Sequence, residues 1–356
     1  MTTYSLAVDI GASSGRLILG YLEEQQLKLK EIHRFDNEIV KKGAYYCWDI
    51  EKIFNEIKTG IRKCSEAGIQ PASIGIDTWA VDFVLLDEND QLLTDAVAYR
   101  DPRTDGMMEE VFQIIPKERL YLETGIQFQK FNTIYQLYSI KKSQPEILQQ
   151  AKTFLMIPDY LNFLLTGVKA NEYTNATSTQ LLNAFTKHWD QELLDKLGIN
   201  KDMFQEIKPP KTVLGPLKQE LVSEFGFDMK VVLPATHDTG SAVLSVPEQD
   251  ETIYISSGTW SLIGVENSFP ISVTKALDYN FTNEGGVDYR FRFLKNIMGL
   301  WMIQEVKRNY DDDYTFAELV ELAEQATDFH AIVDVNSDLF LKPDNMIIAI
   351  QKYCQE

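Results

Sequence analysis

The amino-acid sequence predicts an α/β protein made of two similar domains, and three observations lead to this prediction. Residues 4–19 have the pattern of a strand, a short turn of small residues and a returning strand. A similar pattern recurs at residues 252–265, too far along the chain for the short period of a solenoid. Between the two copies, strand-like and helix-like runs alternate, which is typical of a mixed sheet covered by helices.

The first of these hairpins has the features of a phosphate-binding turn. Apolar residues alternate with small or polar ones over 4–10, and a loop of glycine, alanine and serine follows at 11–15. Backbone N–H groups of such a turn can converge on one anion, and the loop serines and Arg16 add side-chain donors. Asp9 lies where it could hold a metal ion. The returning run is strand-like, so the loop is neither a Walker loop nor a dinucleotide fingerprint, and an ordinary glycine-turn hairpin is the other interpretation.

The second hairpin is built from the same parts. A β-rich run leads into Ser256–Thr259, and residues 260–265 return. Two such hairpins fit two similar domains, each offering one phosphate-binding turn to a shared cleft. The acidic segment 247–251 is the predicted boundary, which gives domains of 1–246 and 247–356.

Composition and charge limit the classes of function. The 356 residues are 44% hydrophobic, which is ordinary for a globular chain long enough for two domains. The net charge of −19 argues against a nucleic-acid-binding surface, which needs clustered lysine and arginine. We find no long apolar run, no signal-peptide pattern, no CxxC spacing and no metal-ligand spacing of the histidines. We therefore expect a cytoplasmic protein.

Periodicity predicts the elements of the first domain. The predicted strands are residues 4–10, 16–20, 27–35, 73–77, 83–86 and 231–234. Asp49 can cap a helix whose Ile53, Ile57, Ile61 and Cys64 fall on one face. Residues 105–200 read as largely helical and are predicted to form an insertion in this domain.

The strongest candidate for catalysis is Asp238. The apolar strand at 231–234 leads through His237 to Asp238, which begins a predicted helix of small residues. A helix N-terminus stabilises a carboxylate, and small residues let a substrate approach closely. Such a carboxylate could accept the proton of an attacking hydroxyl in phosphoryl transfer. The alternative is that Asp238 only caps the helix.

Three further segments carry polar or aromatic side chains. The cluster 77–82 follows a strand, where ligands often meet a sheet, and its Trp79 offers a flat face to a sugar. A core tryptophan with turn-forming acids is the alternative. Another candidate combines residues 280–286 and 294–301 with Gln304. Its Asn296 and Gln304 could bind sugar hydroxyls or nucleotide oxygens, or be a helix cap and a solvated amide. The loop 99–104 could line a cleft or be an exposed, ion-paired turn.

These segments together resemble the FGGY carbohydrate kinases, and within them the members that phosphorylate L-rhamnulose. The resemblance runs from residue 4 to about residue 305 and implies an actin-like, ribonuclease H-like fold of two domains. The matching segments are 8–16, 33–37, 75–86, 99–104, 131–133, 157–160, 172–176, 236–239, 256–261 and 296–301.

The resemblance implies ATP-dependent phosphorylation of L-rhamnulose to L-rhamnulose 1-phosphate in rhamnose catabolism, with Mg²⁺. It implies that Asp238 is the proton acceptor and that Asp9 faces the metal ion. The residues implied to contact ATP are Ala12, Ser13, Ser14, Gly15, Arg16, Thr259 and Gln304. Those implied to contact the sugar are Ala80, His237, Asp238, Thr239 and Asn296.

The chain departs from the family pattern in its second domain. That domain normally continues with helices and a Gly-Gly-Gly turn that holds the adenine and ribose, but no triple glycine follows residue 286 here. We therefore expect an incomplete second domain and an adenine pocket that lacks part of its wall. Two alternatives stay open: a kinase for xylulose, fuculose or glycerol, and a truncated, non-catalytic sugar-binding protein.

Overall fold

The structure is a computed structural model and describes residues 2–247, 252–258, 260–310, 313–327, 331–340 and 343–355. By its internal contacts the chain divides into two compact units. Unit 1 comprises residues 1–247 and 266–293, and unit 2 comprises residues 248–265 and 294–356. These units interleave along the chain, whereas the predicted domain limits of 1–246 and 247–356 are continuous; those limits stay a prediction.

The described residues form strands and helices in alternation. The strands are β1 (Tyr4–Ile10), β2 (Ser14–Glu23), β3 (Gln26–Asp36), β4 (Ile39–Lys42), β5 (Tyr45–Trp48), β6 (Ser73–Thr78), β7 (Phe83–Leu86), β8 (Ala96–Val97), β9 (Thr153–Met156), β10 (Asn171–Glu172), β11 (Ile207–Lys208), β12 (Val213–Pro216), β13 (Lys230–Val232), β14 (Tyr254–Ser257), β15 (Trp260–Asn267), β16 (Thr282–Gly285) and β17 (Phe291–Met298). The helices are α1 (Ile50–Glu66), α2 (Met107–Ile114), α3 (Lys117–Thr124), α4 (Thr133–Ser143), α5 (Pro145–Gln150), α6 (Ile157–Thr166), α7 (Tyr173–Thr177), α8 (Gln191–Leu197), α9 (Gln219–Phe225), α10 (Asp238–Leu244), α11 (Thr274–Asp278), α12 (Trp301–Asn309), α13 (Phe316–Gln325) and α14 (Met346–Gln355).

A six-stranded sheet in the order β12-β13-β6-β1-β2-β3 organises unit 1. Strands β1, β2 and β3 form an antiparallel meander, and β6 pairs with β1 and with β13 in parallel. Leu6, Val8 and Ile10 are buried because alternate residues of β1 face the core. The predicted strands and mixed sheet are confirmed. Because β1 and β6 are parallel, their C-terminal ends lie side by side, and the candidate site lies at these ends.

Helix α1 packs its predicted apolar face into the same core. The Asp49 carboxylate accepts a hydrogen bond from the backbone N–H of Lys52 at 3.1 Å, which is an N-cap. Ile53, Ile57 and Cys64 are fully buried, at 1% exposure or less. Both the cap and the apolar stripe are therefore confirmed.

Residues 105–200 are largely helical, as predicted, and hold α2 to α8. Strand β9 lies within this segment and was not predicted. It pairs antiparallel with β7, with Phe83 opposite Met156. Its four residues are all buried, so they form a short apolar run in which periodicity does not separate strand from helix.

In unit 2, β14 and the start of β15 form an antiparallel hairpin with Ser257 opposite Ser261. This confirms the second strand-turn-strand predicted from the sequence. A small core elsewhere in the unit contains Met298, Phe340 and Met346, and Trp301 Nε1 donates to the Phe340 carbonyl at 3.0 Å. Across both units, the residues that the structure describes include no helix long and apolar enough to cross a membrane.

Candidate active site

The turn between β1 and β2 is held in shape by backbone contacts and by Asn37. The Gly11 N–H donates to the Ser14 carbonyl at 2.9 Å, and Asn37 Nδ2 donates to the Gly11 carbonyl at 2.8 Å. A Cβ on Gly15 would lie 2.1 Å from the Phe35 ring, so this position has no room for a side chain. Asn37 was not predicted as part of the turn, because nothing in its local sequence links it to residue 11.

Two carboxylates lie on neighbouring strands beside this turn. Asp9 on β1 forms an ion pair with Arg16, with Nη2 of Arg16 2.8 Å from Oδ2 of Asp9. Asp77 on β6 is the register partner of Asp9 in the parallel pair. Burial, and then the carboxylates of Asp9 and Asp238, raise the pKa of Asp77 well above its ordinary value. We call Asp9, Asp77 and Asp238 the acid cluster.

The loop after β13 brings Asp238 to this cluster. The Thr78 N–H donates to the Thr236 carbonyl at 2.9 Å, so the loop runs alongside the end of β6. Oε2 of the buried Glu172 accepts hydrogen bonds from the N–H and hydroxyl of Thr236, at 3.0 and 2.7 Å. Glu172 thereby fixes the loop, a role that the sequence analysis did not assign. Helix α10 then begins at Asp238, as predicted.

Asp238 combines partial exposure with few hydrogen-bond donors. Its Oδ1 accepts from the Thr239 N–H at 2.6 Å and from the Thr239 hydroxyl at 3.1 Å, and 37% of its side chain is exposed. Burial of the carboxyl raises its pKa to about 6, the Thr239 bonds oppose this shift, and the Asp9 carboxylate adds to it. The group is therefore mainly ionised at neutral pH and able to take up a proton.

His237 precedes Asp238 and is enclosed by charged groups. Its Nε2 is 3.5 Å from Oδ1 of Asp238, and its Nδ1 is 3.0 Å from Nη2 of Arg292 and 3.4 Å from Oε2 of Glu284. Burial, and then the Arg292 charge, lower the pKa of His237 well below its ordinary value. Arg292 was not predicted, and Glu284 lies in the candidate segment 280–286 without a role of its own. The available signal was an arginine between two phenylalanines of β17.

The loop after β6 has the structural role that was the alternative interpretation. Trp79 is 6% exposed and packs on Trp48, with ring centroids 4.1 Å apart. Asp82 is 1% exposed, and its Oδ2 accepts from the indole N–H groups of both tryptophans at 2.6 and 3.0 Å. The hypothesis of a sugar-stacking face on Trp79 is therefore wrong. Ala80, in the same loop, is partly exposed.

The loop 99–104 is tied to its neighbours by hydrogen bonds. The Asp101 carboxylate accepts from the N–H groups of Tyr46 and Arg103 at 2.8 and 2.9 Å. Arg103 Nη2 donates to Oε1 of Gln136 at 2.6 Å. These contacts make the loop a fixed turn.

The remaining candidates are Asn296 and Gln304 of unit 2, Thr259, and Thr239 of unit 1. Asn296 is a partly buried residue of β17, so the alternative of a helix cap at this position is wrong. Gln304 is a partly buried residue of α12. Thr259 lies outside the described residues. Thr239 in unit 1 is 9% exposed and bonded to Asp238, as given above.

The acid cluster suits a hydrated cation held by one carboxylate, but it is not a closed metal site. Among the residues described, no three or more His, Cys, Asp and Glu side chains are grouped closely enough to hold a metal ion. Mg²⁺ usually keeps several waters and binds one or two carboxylates together with substrate phosphates. A partly exposed Asp9, with the carboxyl group of Asp77 on the neighbouring strand, fits that kind of donor set.

Sequence comparison identifies the family. Residues 4–245 match the profile of the FGGY family of carbohydrate kinases, N-terminal domain, and residues 253–353 match the C-terminal domain of the same family. Two curated relatives are each called rhamnulokinase. The protein from Halalkalibacterium halodurans is 70% identical over 99% of this chain and 75% of its own length. The protein from Oceanobacillus iheyensis is 66% identical over 100% of this chain and 76% of its own length.

Structural comparison supports the same fold. The gluconate kinase from Lactobacillus acidophilus superposes with a TM-score of 0.80 at 22% identity. The alignment covers 92% of this chain and 66% of that chain. The actin-like two-domain sugar kinase fold implied by the sequence resemblance is confirmed. With the acid cluster, both family profiles and close relatives in agreement, this chain belongs to the FGGY family of carbohydrate kinases.

Proposed function

We propose that this chain transfers the γ-phosphoryl group of ATP to the 1-hydroxyl of L-rhamnulose, giving L-rhamnulose 1-phosphate in rhamnose catabolism. The sugar is taken from the name of the two relatives, which are 70% and 66% identical to this chain. The phosphoryl transfer is taken from the family. Solved structures of the fold do not decide between sugars, since the one compared is 22% identical.

The observation that carries the proposal is the geometry of Asp238, whose carboxylate is held by Thr239 and is 37% exposed. A base must be ionised at working pH and still bind a proton, and a carboxyl with a pKa of about 6 meets both needs. The side chain is 37% exposed, so a hydroxyl can reach it. Asp238 thus accepts the proton of the sugar hydroxyl as that oxygen attacks phosphorus. The Thr239 N–H and hydroxyl hold the carboxylate in place.

The remaining roles are part of the same proposal and rest on the family resemblance. Ala12 to Arg16 contact the ATP phosphates, with the turn held by Asn37. His237, Thr239 and Ala80 contact the sugar. In unit 2, Thr259 and Gln304 contact ATP, and Asn296 contacts the sugar.

Asp9 holds Mg²⁺ in this proposal, and the ion when bound neutralises charge on the transferring phosphoryl group. Arg16, paired with Asp9, supplies a further positive charge on the same side of the turn. We also propose a cytoplasmic location, where the three unpaired cysteines would stay reduced.

The test combines activity with binding. ADP release is measured with L-rhamnulose, D-xylulose, L-fuculose and glycerol, for the wild-type chain and for Asp238→Asn. We expect L-rhamnulose to give the highest kcat/KM, and Asp238→Asn to lower kcat by about 10²- to 10⁴-fold because the general base is lost. The matched control is Asp278→Asn, which makes the same chemical change at an exposed acid of α11.

Thermal shifts with each sugar separate the alternatives. A ligand that binds the folded state raises Tm by mass action. A larger shift with xylulose or glycerol than with L-rhamnulose would overturn the assignment of the sugar. A shift with L-rhamnulose but no ADP release from any sugar would favour the non-catalytic sugar-binding protein. Equal kcat for Asp238→Asn and Asp278→Asn would show that Asp238 is not the base.

A further inference from the structure

His237 is held between a buried arginine and the Asp238 carboxylate. Nη2 of Arg292 is 3.0 Å from Nδ1 of the ring, and Nε2 on the other side is 3.5 Å from Oδ1 of Asp238. We propose that Arg292 is a positioning residue that keeps His237 in the tautomer with its proton on Nε2, so that the ring presents an N–H donor beside Asp238. The inference rests on the proposed function only where it assigns that donor to a sugar oxygen.

The tautomer follows from the chemistry of the two partners. A guanidinium carries five N–H donors and has no acceptor. Nδ1 of His237 must therefore be the acceptor in the 3.0 Å contact, which leaves the proton of a neutral ring on Nε2. A doubly protonated ring would place an N–H against the N–H of Arg292, and this repulsion agrees with the lowered pKa of His237.

Glu284 is the neighbour that could favour the opposite tautomer. Its Oε2 is 3.4 Å from Nδ1 of His237 and 3.2 Å from Nη2 of Arg292. The arginine contact has the distance and angles of a hydrogen bond, whereas Oε2 of Glu284 makes no hydrogen bond of acceptable geometry. Glu284 therefore balances the charge of the guanidinium, and Arg292 sets the proton on the ring.

Arg292 is itself well fixed. Its side chain is fully buried at 0% exposure, and its Nε donates to the Gly285 carbonyl at 3.0 Å. The Gly285 N–H in turn donates to the Thr177 hydroxyl at 2.8 Å. The guanidinium is thus anchored to the backbone of β16, and a rigid partner of this kind preorganises the imidazole.

The result is a donor next to an acceptor. Nε2–H of His237 donates beside the ionised Asp238, whose Oδ1 lies 3.5 Å from Nε2 and accepts from Thr239, so that a substrate hydroxyl donates to Oδ2. A sugar fits this pair when a hydroxyl has an acceptor oxygen on the adjacent carbon. A 2-ketose meets this requirement: its 1-hydroxyl donates to Asp238 while the oxygen on C2 accepts from His237. The arrangement therefore favours sugars that carry an acceptor oxygen on the carbon next to the phosphorylated one.

The direct test is the protonation state of His237 by ¹⁵N NMR. The chain has four histidines, so a sample labelled with ¹⁵N-histidine gives few signals, and His237→Gln identifies the one of interest. In a long-range ¹H–¹⁵N correlation, we expect the neutral Nε2–H pattern for wild type at neutral pH, because burial and the Arg292 charge lower the pKa of the ring. A wild-type ring with its proton on Nδ1, or a doubly protonated ring at neutral pH, would overturn the proposal.

Two variants of Arg292 separate positioning from simple packing. Arg292→Lys keeps a charged donor and should preserve the Nε2–H pattern. Arg292→Met keeps apolar volume but removes the donor to Nδ1, so the neutral ring is no longer held with its proton on Nε2 and a signal from the Nδ1–H tautomer should appear. An unchanged spectrum in folded Arg292→Met would contradict the proposal. If Arg292→Met does not fold, the spectra of wild type and Arg292→Lys test the proposal, and a proton on Nδ1 in either of them would contradict it.

Kinetics give the functional readout. Arg292→Met should raise KM for L-rhamnulose about 10- to 100-fold, since a buried hydrogen bond to the sugar is lost, and leave KM for ATP within about twofold. Arg292→Lys should recover most of this loss. Equal increases in both KM values would indicate a general structural effect and contradict the positioning role. A correct Nε2–H spectrum without phosphorylation of any sugar would instead count against the proposed function, and the tautomer assignment would stand.

Discussion

Two loops of unit 1 each place an aspartate just beyond a parallel strand, yet they use it differently. After β6, Asp82 is 1% exposed, and donors reach it from Trp48, Trp79, Gln136 and the Tyr99 backbone at 2.6 to 3.1 Å. After β13, Asp238 is 37% exposed and accepts only from Thr239 in the contacts described. Burial raises the pKa of both carboxyl groups.

The structural carboxylate of Asp82 and the reactive one of Asp238 therefore differ in the number of protein donors that bind their oxygens. A carboxylate whose lone pairs are filled by the protein has no place for a substrate proton. A carboxylate that keeps free lone pairs and contact with solvent can accept a proton from a substrate. Asp82 therefore organises the tryptophan core, and Asp238 is available for chemistry.

The largest effect should come from removing the structural carboxylate. Asp82→Ala leaves two indole N–H groups and the Tyr99 backbone N–H without their acceptor, at about 1–3 kcal/mol for each group that stays unpaired. We expect the free energy of unfolding to fall by at least about 3 kcal/mol. Urea unfolding followed by tryptophan fluorescence and by circular dichroism measures this.

The control for that prediction is Asp278→Ala, at an exposed position of α11, whose unfolding midpoint should match that of wild type. A loss below about 1 kcal/mol for Asp82→Ala would mean that water replaces the carboxylate. Asp82 would then not be a structural carboxylate, and the contrast with Asp238 would be wrong.

Replacing Asp238 should have a smaller effect on the free energy of unfolding, and it should raise this free energy at neutral pH. Its native pKa of about 6 lies above the ordinary 3.8, so its contribution to stability is fully present below about pH 4 and is lost as pH rises through about 6. Asp238→Asn does not ionise and escapes this loss. Because 37% of the side chain is exposed, we expect a gain of only about 1 kcal/mol for the variant near pH 7.5, and none near pH 4.

Thermal unfolding of wild type and Asp238→Asn across this pH range tests the sign. A variant less stable than wild type at neutral pH would indicate that the ionised carboxylate stabilises the fold, as a helix cap does. That result would favour the alternative interpretation of Asp238 given at the start.

Much of this architecture follows from the sequence, because local patterns carry it. Alternation along β1 and the cap at Asp49 predicted the strands and α1, and the turn at 11–15 and the position of Asp238 at the start of α10 were also predictable. The neighbours of the site were not. Glu172, Glu284 and Arg292 reach the loop from distant parts of the chain, and a single sequence does not show which distant residues come together.

The difference between Asp82 and Asp238 was also beyond the sequence. Both follow a strand-like run and precede small or apolar residues, so pattern alone leaves a structural and a functional role open for each. Only the count of donors and the exposure of each carboxyl in the folded chain separate them.

The most direct test of the account is the pH dependence of kcat/KM for L-rhamnulose in the wild-type chain. Activity should rise from about pH 5 to about pH 7 with an apparent pKa near 6, since the ionised Asp238 is the base. Asp278→Asn should show the same profile. A rate independent of pH across this range, or one that falls as pH rises, would contradict the assignment of Asp238 as the reactive carboxylate.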